Sequence, residues 1–136
     1  MDINEAMGVA ASGLAAQSAR LRIIAENLAN AESTGSTPGA EPYRRKIVTF
    51  HSVLDKATGV TSVKTGPEQT AAGDFERHYD PNHPAADAAG YVMMPNVNPL
   101  IEMMDMREAQ RSYEANLNII DAAKSMLGRI IDLLHG

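Results

Sequence analysis

The sequence predicts a mainly α protein with a small β element, in which long N- and C-terminal helices form a coiled-coil-like layer within an assembly. Three observations favour this fold class. Residues 2–30 and residues 99–135 both place apolar side chains in a heptad pattern. The residues between them hold few large apolar side chains and no enzyme motif. A chain with this layout is predicted to assemble through both of its ends.

The predicted organisation is one structural unit with three regions. A length of 136 residues suits one modest domain. We assign residues 1–30 to an N-terminal assembly helix and residues 31–97 to a central loop and β region. Residues 98–136 form the predicted C-terminal assembly helix.

Composition narrows the function classes. Hydrophobic residues make up 44 % of the chain but aromatic residues only 4 %, which favours apolar helix stripes over a bulky enzyme core. The net charge of -5 disfavours nucleic acid and anionic membranes as main partners. The absence of cysteine excludes disulfides and thiolate chemistry. No apolar run reaches the length of a membrane span, and the acidic N-terminus lacks the pattern of a cleaved secretory signal.

The first helix is predicted from an apolar seam whose steps alternate between four and three residues. Asp2 is the expected N-cap, with Glu5 as its capping-box partner three residues later. A line of small residues from Gly8 to Ala19 is either a tolerated weak point or a second helix-contact face. The seam residues assigned to the assembly interface are Ile3, Met7, Leu14, Leu21, Ile24 and Leu28, and Ala10 and Gln17 complete the pattern.

The sequence of the central region predicts the end of the first helix, followed by four short strands and long loops. Small and turn-forming residues from Asn30 to Gly39 end the first helix. Pro81 and Pro84 require extended or turned backbone between the later strands. The predicted strands are Tyr43–Val53, Val60–Thr65, Phe75–Tyr79 and Gly90–Met94.

The last helix is predicted to begin with Asn98 as N-cap and Pro99 at the first helical position. A second apolar line from Ile119 to Leu133 runs beside its main seam, which implies contacts on more than one side. We therefore expect both helices to become stable only when they pack against other copies or relatives. The seam residues assigned to the assembly interface are Met103, Met106, Tyr113, Leu117, Ile120, Leu127, Ile131 and Leu134.

Side chains able to support catalysis or metal binding are few and scattered. His78, Asp80 and His83 form one conceivable metal cluster, but their spacing fits no known ligand signature and prolines interrupt it. Solvated loop residues are the favoured interpretation. Glycine-rich phosphate loops and nucleophile elbows are absent from the sequence. The sequence therefore predicts no catalytic residues, no metal site and no cofactor.

The triplet Arg44, Arg45 and Lys46 is the one basic run in the chain. One interpretation is a solvated strand whose charges discourage edge pairing. The alternative is a set of polar contacts to acidic residues of a neighbouring subunit.

Eight short motifs, in order along nearly the whole chain, carry a family resemblance. They are Ala11–Leu14, Leu21–Ile24, Asn27–Ala31, Pro42–Lys46, Tyr79–Pro84, Gly90–Val92, Met94–Asn98 and Arg111–Asn116. The first three resemble the N-terminal signature of bacterial flagellar rod and hook proteins. The other five are narrower and resemble the proximal-rod members of that family.

The resemblance implies a structural subunit of the flagellar rod, the drive shaft between the membrane ring and the hook. It implies a periplasmic position in the basal body, reached through the flagellar type III export apparatus without a cleaved signal peptide. The partners it implies are copies of the chain itself, the rod proteins FlgB, FlgF and FlgG, and FliE. A helical export chaperone or adaptor is the main alternative, and a small metal-binding protein is a weaker one.

Overall fold

A computed structural model describes residues 1–136 and shows two terminal helices with three small antiparallel strand pairs between them. About 47 % of the chain is helical and 16 % is strand. This part of the predicted fold class is confirmed, whereas the coiled-coil-like layer in an assembly stays a prediction. The elements in chain order are α1 (Ile3–Ala29), β1 (Lys46–Ile47), β2 (Phe50–Leu54), β3 (Thr61–Thr65), β4 (Gln69–Thr70), β5 (Glu76–Tyr79), β6 (Tyr91–Met94) and α2 (Pro99–His135).

Both helices begin with the caps that the sequence predicts. The backbone N–H of Glu5 donates to Asp2 Oδ1 at 2.7 Å, and the Asp2 N–H donates back to Glu5 Oε2 at 3.0 Å. This reciprocal pair satisfies donors that the first turn of α1 would otherwise leave open. At α2, the N–H of Leu100 donates to Asn98 Oδ1 at 3.1 Å. Pro99 has no backbone N–H, so the first helical position leaves no donor to satisfy.

The strand pairs are short and mostly exposed. In the β2–β3 hairpin Phe50 lies opposite Thr65 and Leu54 opposite Thr61, while β5 pairs with β6 and β1 with β4. The predicted strand Tyr43–Val53 is wrong in extent, because β1 and β2 are separate strands with different partners. Its first residues make contacts outside any ladder, since the N–H of Arg45 donates to Asn96 Oδ1 at 2.7 Å. The sequence analysis also missed β4, whose two residues are polar and exposed.

The Cα positions group into two compact units. Unit 1 comprises Met1–Leu21, Val48–Pro67 and Arg107–Gly136, and unit 2 comprises Arg22–Ile47 and Glu68–Met106. The three predicted regions therefore describe the order of elements along the chain. As domain boundaries they stay a prediction.

Small residues form the core of unit 1. Ala10 and Ala16 on α1 and Ala109 and Ala123 on α2 are buried. A side chain added at Gly13 would place its Cβ 2.8 Å from the Asn116 amide, so the two helix segments approach closely there. Of the predicted small-residue line, Ser12 is half-buried and its hydroxyl accepts the N–H of Val63 at 3.1 Å. Gly8, Ala11 and Ala15 of that line are exposed.

Unit 2 has an apolar core with polar groups inside it. Ile23, Ile24, Val92 and Ala85 are buried. Asn27 and Glu102 are also buried, each with about 1 % of its surface exposed. Buried polar and charged groups are tolerated in folded proteins when they are hydrogen-bonded, so these two side chains require partners inside the unit.

Candidate assembly surface

The predicted seam of α1 faces the interior of the chain. Ile24 is buried, and the other assigned residues Ile3, Met7, Leu14, Leu21 and Leu28 are half-buried. Gln17, the polar member of the pattern, has a buried side-chain oxygen without a hydrogen-bond partner. The apolar side of α1 is therefore largely used within the subunit.

The predicted seam of α2 divides into two lines with different surroundings. Met106, Tyr113, Ile120 and Leu127 are half-buried. They alternate with a second line that consists of the buried residues Glu102, Ala109 and Ala123 and the half-buried Asn116. The exposed assigned residues are Met103, Leu117, Ile131 and Leu134. The sequence analysis missed the interior line of small and polar residues, although its period of seven residues is visible in the sequence.

The C-terminal part of α2 exposes an unusual amount of apolar surface. Leu133 and Leu134 are 82 % and 81 % exposed, and Ile119, Met126 and Ile130 on the second predicted line are also exposed. Soluble monomers rarely leave contiguous apolar surface of this kind uncovered, and where they do it marks an interaction site. This surface is the strongest candidate functional site of unit 1.

An apolar groove adjoins this surface within unit 1. A cavity of about 320 Å³ is lined by the start of α1 and by α2 residues about two to four turns before the exposed leucines. Its walls are almost entirely apolar. The lining residues are Met1, Asp2, Ile3, Ala6, Ile119, Ala122, Ala123 and Met126.

The last turns of α2 follow the α2 residues that line this groove. Ile3, the first residue of α1, lines the groove together with Ala123 and Met126. Ile131 and Leu134 continue the heptad register of Leu127, and they are exposed. The apolar stripe that packs on α1 within the subunit thus runs on into solvent.

A buried polar cluster anchors the start of α2 in unit 2. Arg45 Nε donates to Glu102 Oε1, and the Asn27 amide donates to Glu102 Oε2 at 3.4 Å. Asn27 Oδ1 accepts the Tyr43 hydroxyl at 2.8 Å and the Lys46 N–H at 2.9 Å. Burial raises the pKa of the Tyr43 hydroxyl, which stays protonated and donates this bond.

Sequence reasoning missed this cluster as a site. Glu102 lies between Ile101 and Met103 and carries no local signal of burial, because its partner Arg45 comes from the distant β1 region. The one available signal was its place on the interior period of seven residues. Its burial is therefore a consequence of tertiary structure.

The three basic side chains of the predicted triplet are engaged within the chain. Arg44 donates to the carbonyls of Ala71 and Gly73 at 3.0 Å and lies 4.2 Å from the centre of the Phe75 ring. Lys46 Nζ lies 3.1 Å from Glu26, and this hydrogen bond raises the pKa of Lys46. Contacts of the triplet with a neighbouring subunit stay a prediction.

The candidate metal cluster is not assembled in the structure. His78 lies on β5 with its side chain exposed. Both ring nitrogens of His83 are used locally, since Nε2 lies 3.3 Å from Thr34 Oγ1 and Nδ1 accepts the Ala85 N–H at 3.0 Å. No group of three or more His, Asp or Glu side chains is placed to hold a metal ion. Neither helix combines the length and apolar character needed to cross a membrane.

Two family models match the ends of the chain. Residues 7–39 match the model described as Flagella basal body rod protein, and residues 88–133 match Flagellar basal body rod FlgEFG protein C-terminal. Together with exposed apolar helix surface, these matches define the class as a structural subunit of the bacterial flagellar rod. Proteins of this family are structural and not enzymes.

Relatives identify the family member over nearly the full length. The chain is 57 % identical to the flagellar basal-body rod protein FlgC of Agrobacterium fabrum over 132 residues, covering 97 % of this chain and 95 % of the relative. It is 42 % identical to FlgC of Salmonella typhimurium, with 92 % of each chain covered. Identity to FlgC of Bacillus subtilis is 37 %, covering 93 % of this chain and 95 % of that protein. The chain belongs to the FlgC family of flagellar basal-body rod proteins.

This membership decides between the functions that the sequence left open. The protein is a structural subunit of the flagellar basal body that assembles with other rod proteins. The export-chaperone and metal-binding alternatives are not supported.

Proposed function

We propose that this subunit transmits torque along the proximal rod, from the membrane ring to the distal rod and hook, by helix packing. The observation that supports this most directly is the exposed apolar surface of α2 from Ile119 to Leu134. Close-packed apolar interfaces resist deformation like a molecular solid, so many small contacts together can bear shear. In this proposal the exposed seam residues of α2 contact the neighbouring subunits, and the seam residues of α1 support α2 from within the subunit.

The partners we propose are copies of the chain, the rod proteins FlgB, FlgF and FlgG, and FliE. The flagellar type III export apparatus would deliver the subunit to the periplasmic part of the basal body without a cleaved signal peptide. The matches to basal-body rod proteins support this route.

A surface substitution tests the proposal better than a seam substitution. Ile120→Asp and Leu127→Asp are expected to abolish motility, but both side chains are half-buried within the subunit and the variants would also lose stability. Leu133 is almost fully exposed, so Leu133→Asp is expected to leave the fold intact and to block rod growth. Asn118→Asp, on the exposed polar side of α2, is the matched control.

The experiment replaces the native subunit in a flagellated bacterium with each variant. Spreading in soft agar and purified basal bodies are compared, and circular dichroism checks that the variants fold. Loss of rods with Leu133→Asp and normal motility with Asn118→Asp would support the proposal. Normal rods and motility with Leu133→Asp would overturn the role of this surface.

A further inference from the structure

The apolar seams of α1 and α2 do not by themselves select one register in unit 1. Their side chains repeat every seven residues on both helices, so sliding one helix past the other by one heptad restores apolar contacts of the same kind. Other residues must therefore determine which turns of the two helices face each other. The repeating half-buried positions are Met7, Leu14 and Leu21 on α1 and Tyr113, Ile120 and Leu127 on α2.

One polar layer in unit 1 joins Gly13 to Asn116. A Cβ at Gly13 would lie 2.8 Å from the Asn116 side-chain nitrogen, so the amide occupies the space that the glycine leaves. The same nitrogen donates to the carbonyl of Ser112 at 3.0 Å, which holds the amide in this position. Glycine inside a helix is unfavourable, because it loses the most backbone freedom on folding. The close approach of Asn116 accounts for a glycine at this position.

Other contacts in unit 1 have the same antiparallel register. Later in α1, Arg20 Nη2 lies 3.4 Å from Glu108 Oε2, which comes earlier in α2 than Asn116. Earlier in α1, Ala6 lines a groove together with Ala123, which comes one heptad after Asn116. The polar layer of unit 1 therefore has helix contacts on both sides of it.

A second polar layer, in unit 2, joins Asn27 to Glu102. Asn27 Nδ2 donates to Glu102 Oε2 at 3.4 Å, and both residues are 1 % exposed. Asn27 lies two heptads after Gly13 and Glu102 lies two heptads before Asn116, so the residue numbers keep the same register. A buried amide that loses its partner is costly, because water cannot replace the lost hydrogen bond.

We propose that these two layers, each within its own unit, fix the register of α1 against α2. A slide of one heptad would bring Asn116 against Ala6 or Arg20, whose side chains leave no gap for the amide. The same slide would separate Asn27 from Glu102. Polar side chains within an apolar helix seam select a register in this way, at a cost in stability.

The register matters for the surface that the subunit presents. Because α1 covers only those turns of α2 that it faces, the two layers determine which turns of the α2 apolar stripe stay exposed. The layers act in the free subunit, so this inference goes beyond the proposed function and does not depend on it.

The distance between two spin labels tests the register, since the native chain has no cysteine to compete for the label. Ser18→Cys and Ser125→Cys place one label on each helix in unit 1, at exposed serines. A slide of one heptad moves the labels relative to each other by about 10 Å along the helix axes, at ~1.5 Å per residue. We expect pulsed electron paramagnetic resonance of the labelled subunit to give a single distance.

Removing both layers should release the register. Gly13→Ala and Asn116→Ala remove the first layer, and Asn27→Leu removes the second while Glu102 keeps its contact with Arg45. We expect this triple variant, labelled at the same serines, to add a second distance population. A triple variant that is folded by circular dichroism and keeps only the native distance would overturn the proposal.

The matched control carries the same three kinds of change at exposed positions. Gly8→Ala and Asn4→Leu lie on α1, and Asn118→Ala lies on α2. This control should keep the single distance. A second population as large as that of the triple variant would refute the assignment of the register to the two layers.

A double-mutant cycle decides the role of the first layer even where the triple variant does not fold. Gly13→Ala should lower the urea concentration at the unfolding midpoint of the parent, but not that of an Asn116→Ala variant, because the added methyl group then meets no amide. An equal decrease in both backgrounds would contradict the layer. Neither experiment uses the rod, so a failed register leaves the proposed function standing, and absence of the subunit from purified rods would refute only the proposed function.

Discussion

Unit 1 and unit 2 each have a small core, but they fill it with different kinds of side chain. Unit 1 packs alanines and a glycine between helix segments and leaves its large apolar side chains near the C-terminus in solvent. Unit 2 buries Asn27 and Glu102 and gives each of them hydrogen-bond partners from within the chain. The first unit leaves large apolar side chains for another molecule to cover, whereas the buried polar groups of the second find their partners within the chain.

The difference indicates how one small subunit can both hold its shape and assemble. Polar contacts such as Arg45 to Glu102 are directional and fix one arrangement of the chain. Apolar helix surface is adaptable and gains free energy from any well-packed neighbour. Substitutions in each unit can break or sharpen this contrast.

The largest effect is expected from Arg45→Met. This change leaves the Glu102 carboxylate buried without its cation, and breaking such a pair costs about 3–5 kcal/mol. Urea unfolding measures the loss. Arg107→Met, at an exposed position without an ion pair, should change stability by less than about 0.5 kcal/mol.

A double variant sharpens the same test. Replacing both partners, Arg45→Met with Glu102→Leu, removes the unpaired charge and should recover most of the lost stability. An Arg45→Met variant as stable as the parent would show that the cluster does not hold unit 2 together.

Two glycines of α1 should respond with opposite signs. Gly13→Ala places a Cβ against the Asn116 amide and is expected to destabilise by about 1–3 kcal/mol. Gly8→Ala meets open space on an exposed helix position and should stabilise by up to about 1 kcal/mol. Thermal unfolding of the two variants side by side gives the comparison. Equal shifts in one direction would contradict the close approach at Gly13.

Tyr43→Phe should have a smaller effect. It removes one hydrogen bond to Asn27 Oδ1, which still accepts the Lys46 N–H, so the expected loss is about 0.5–1.5 kcal/mol. Tyr79→Phe is the control, because that hydroxyl is exposed and makes no hydrogen bond. A loss of stability equal to that of Tyr79→Phe would show that the Tyr43 hydroxyl does not contribute to the cluster.

The smallest expected effect is a loss of stability in acid. The hydrogen bond from Arg22 lowers the pKa of Glu68, and the backbone N–H of Tyr91 lowers that of Asp87. A lowered folded-state pKa gives stability that is present above the unfolded value, near about 4, and is lost as pH falls through the folded value. The urea concentration at the unfolding midpoint should therefore decrease as the pH is lowered below about 4. This decrease should be less steep in Glu68→Gln. Glu32→Gln, at an exposed position without a partner, should follow the parent curve.

Local sequence signals predicted both helices but not which of their faces pack inside the subunit. The heptads placed both helices, and Asp2, Glu5 and Asn98 placed their first turns, because caps and periodicity act within a few residues. The break between β1 and β2 was not predictable, since β1 pairs with β4 and β2 pairs with β3, and this choice of partners is made by tertiary structure.

The division of the α2 seam has the same tertiary origin. Which side of α2 faces inward depends on the register of α2 against α1, where Gly13 meets Asn116. That register selected Ala109 and Ala123 for the interior and left Leu117 in solvent. Periodicity alone could not distinguish these two neighbouring lines.

Amide hydrogen exchange of residues 128–135 tests the central claim most directly, comparing the dilute free subunit with purified basal bodies. If a lone copy leaves this helical end uncovered, exchange there should be fast in the free subunit and strongly slowed in the basal body. Exchange in the dilute free subunit as slow as that of the buried Ile23–Asn27 segment would contradict the account.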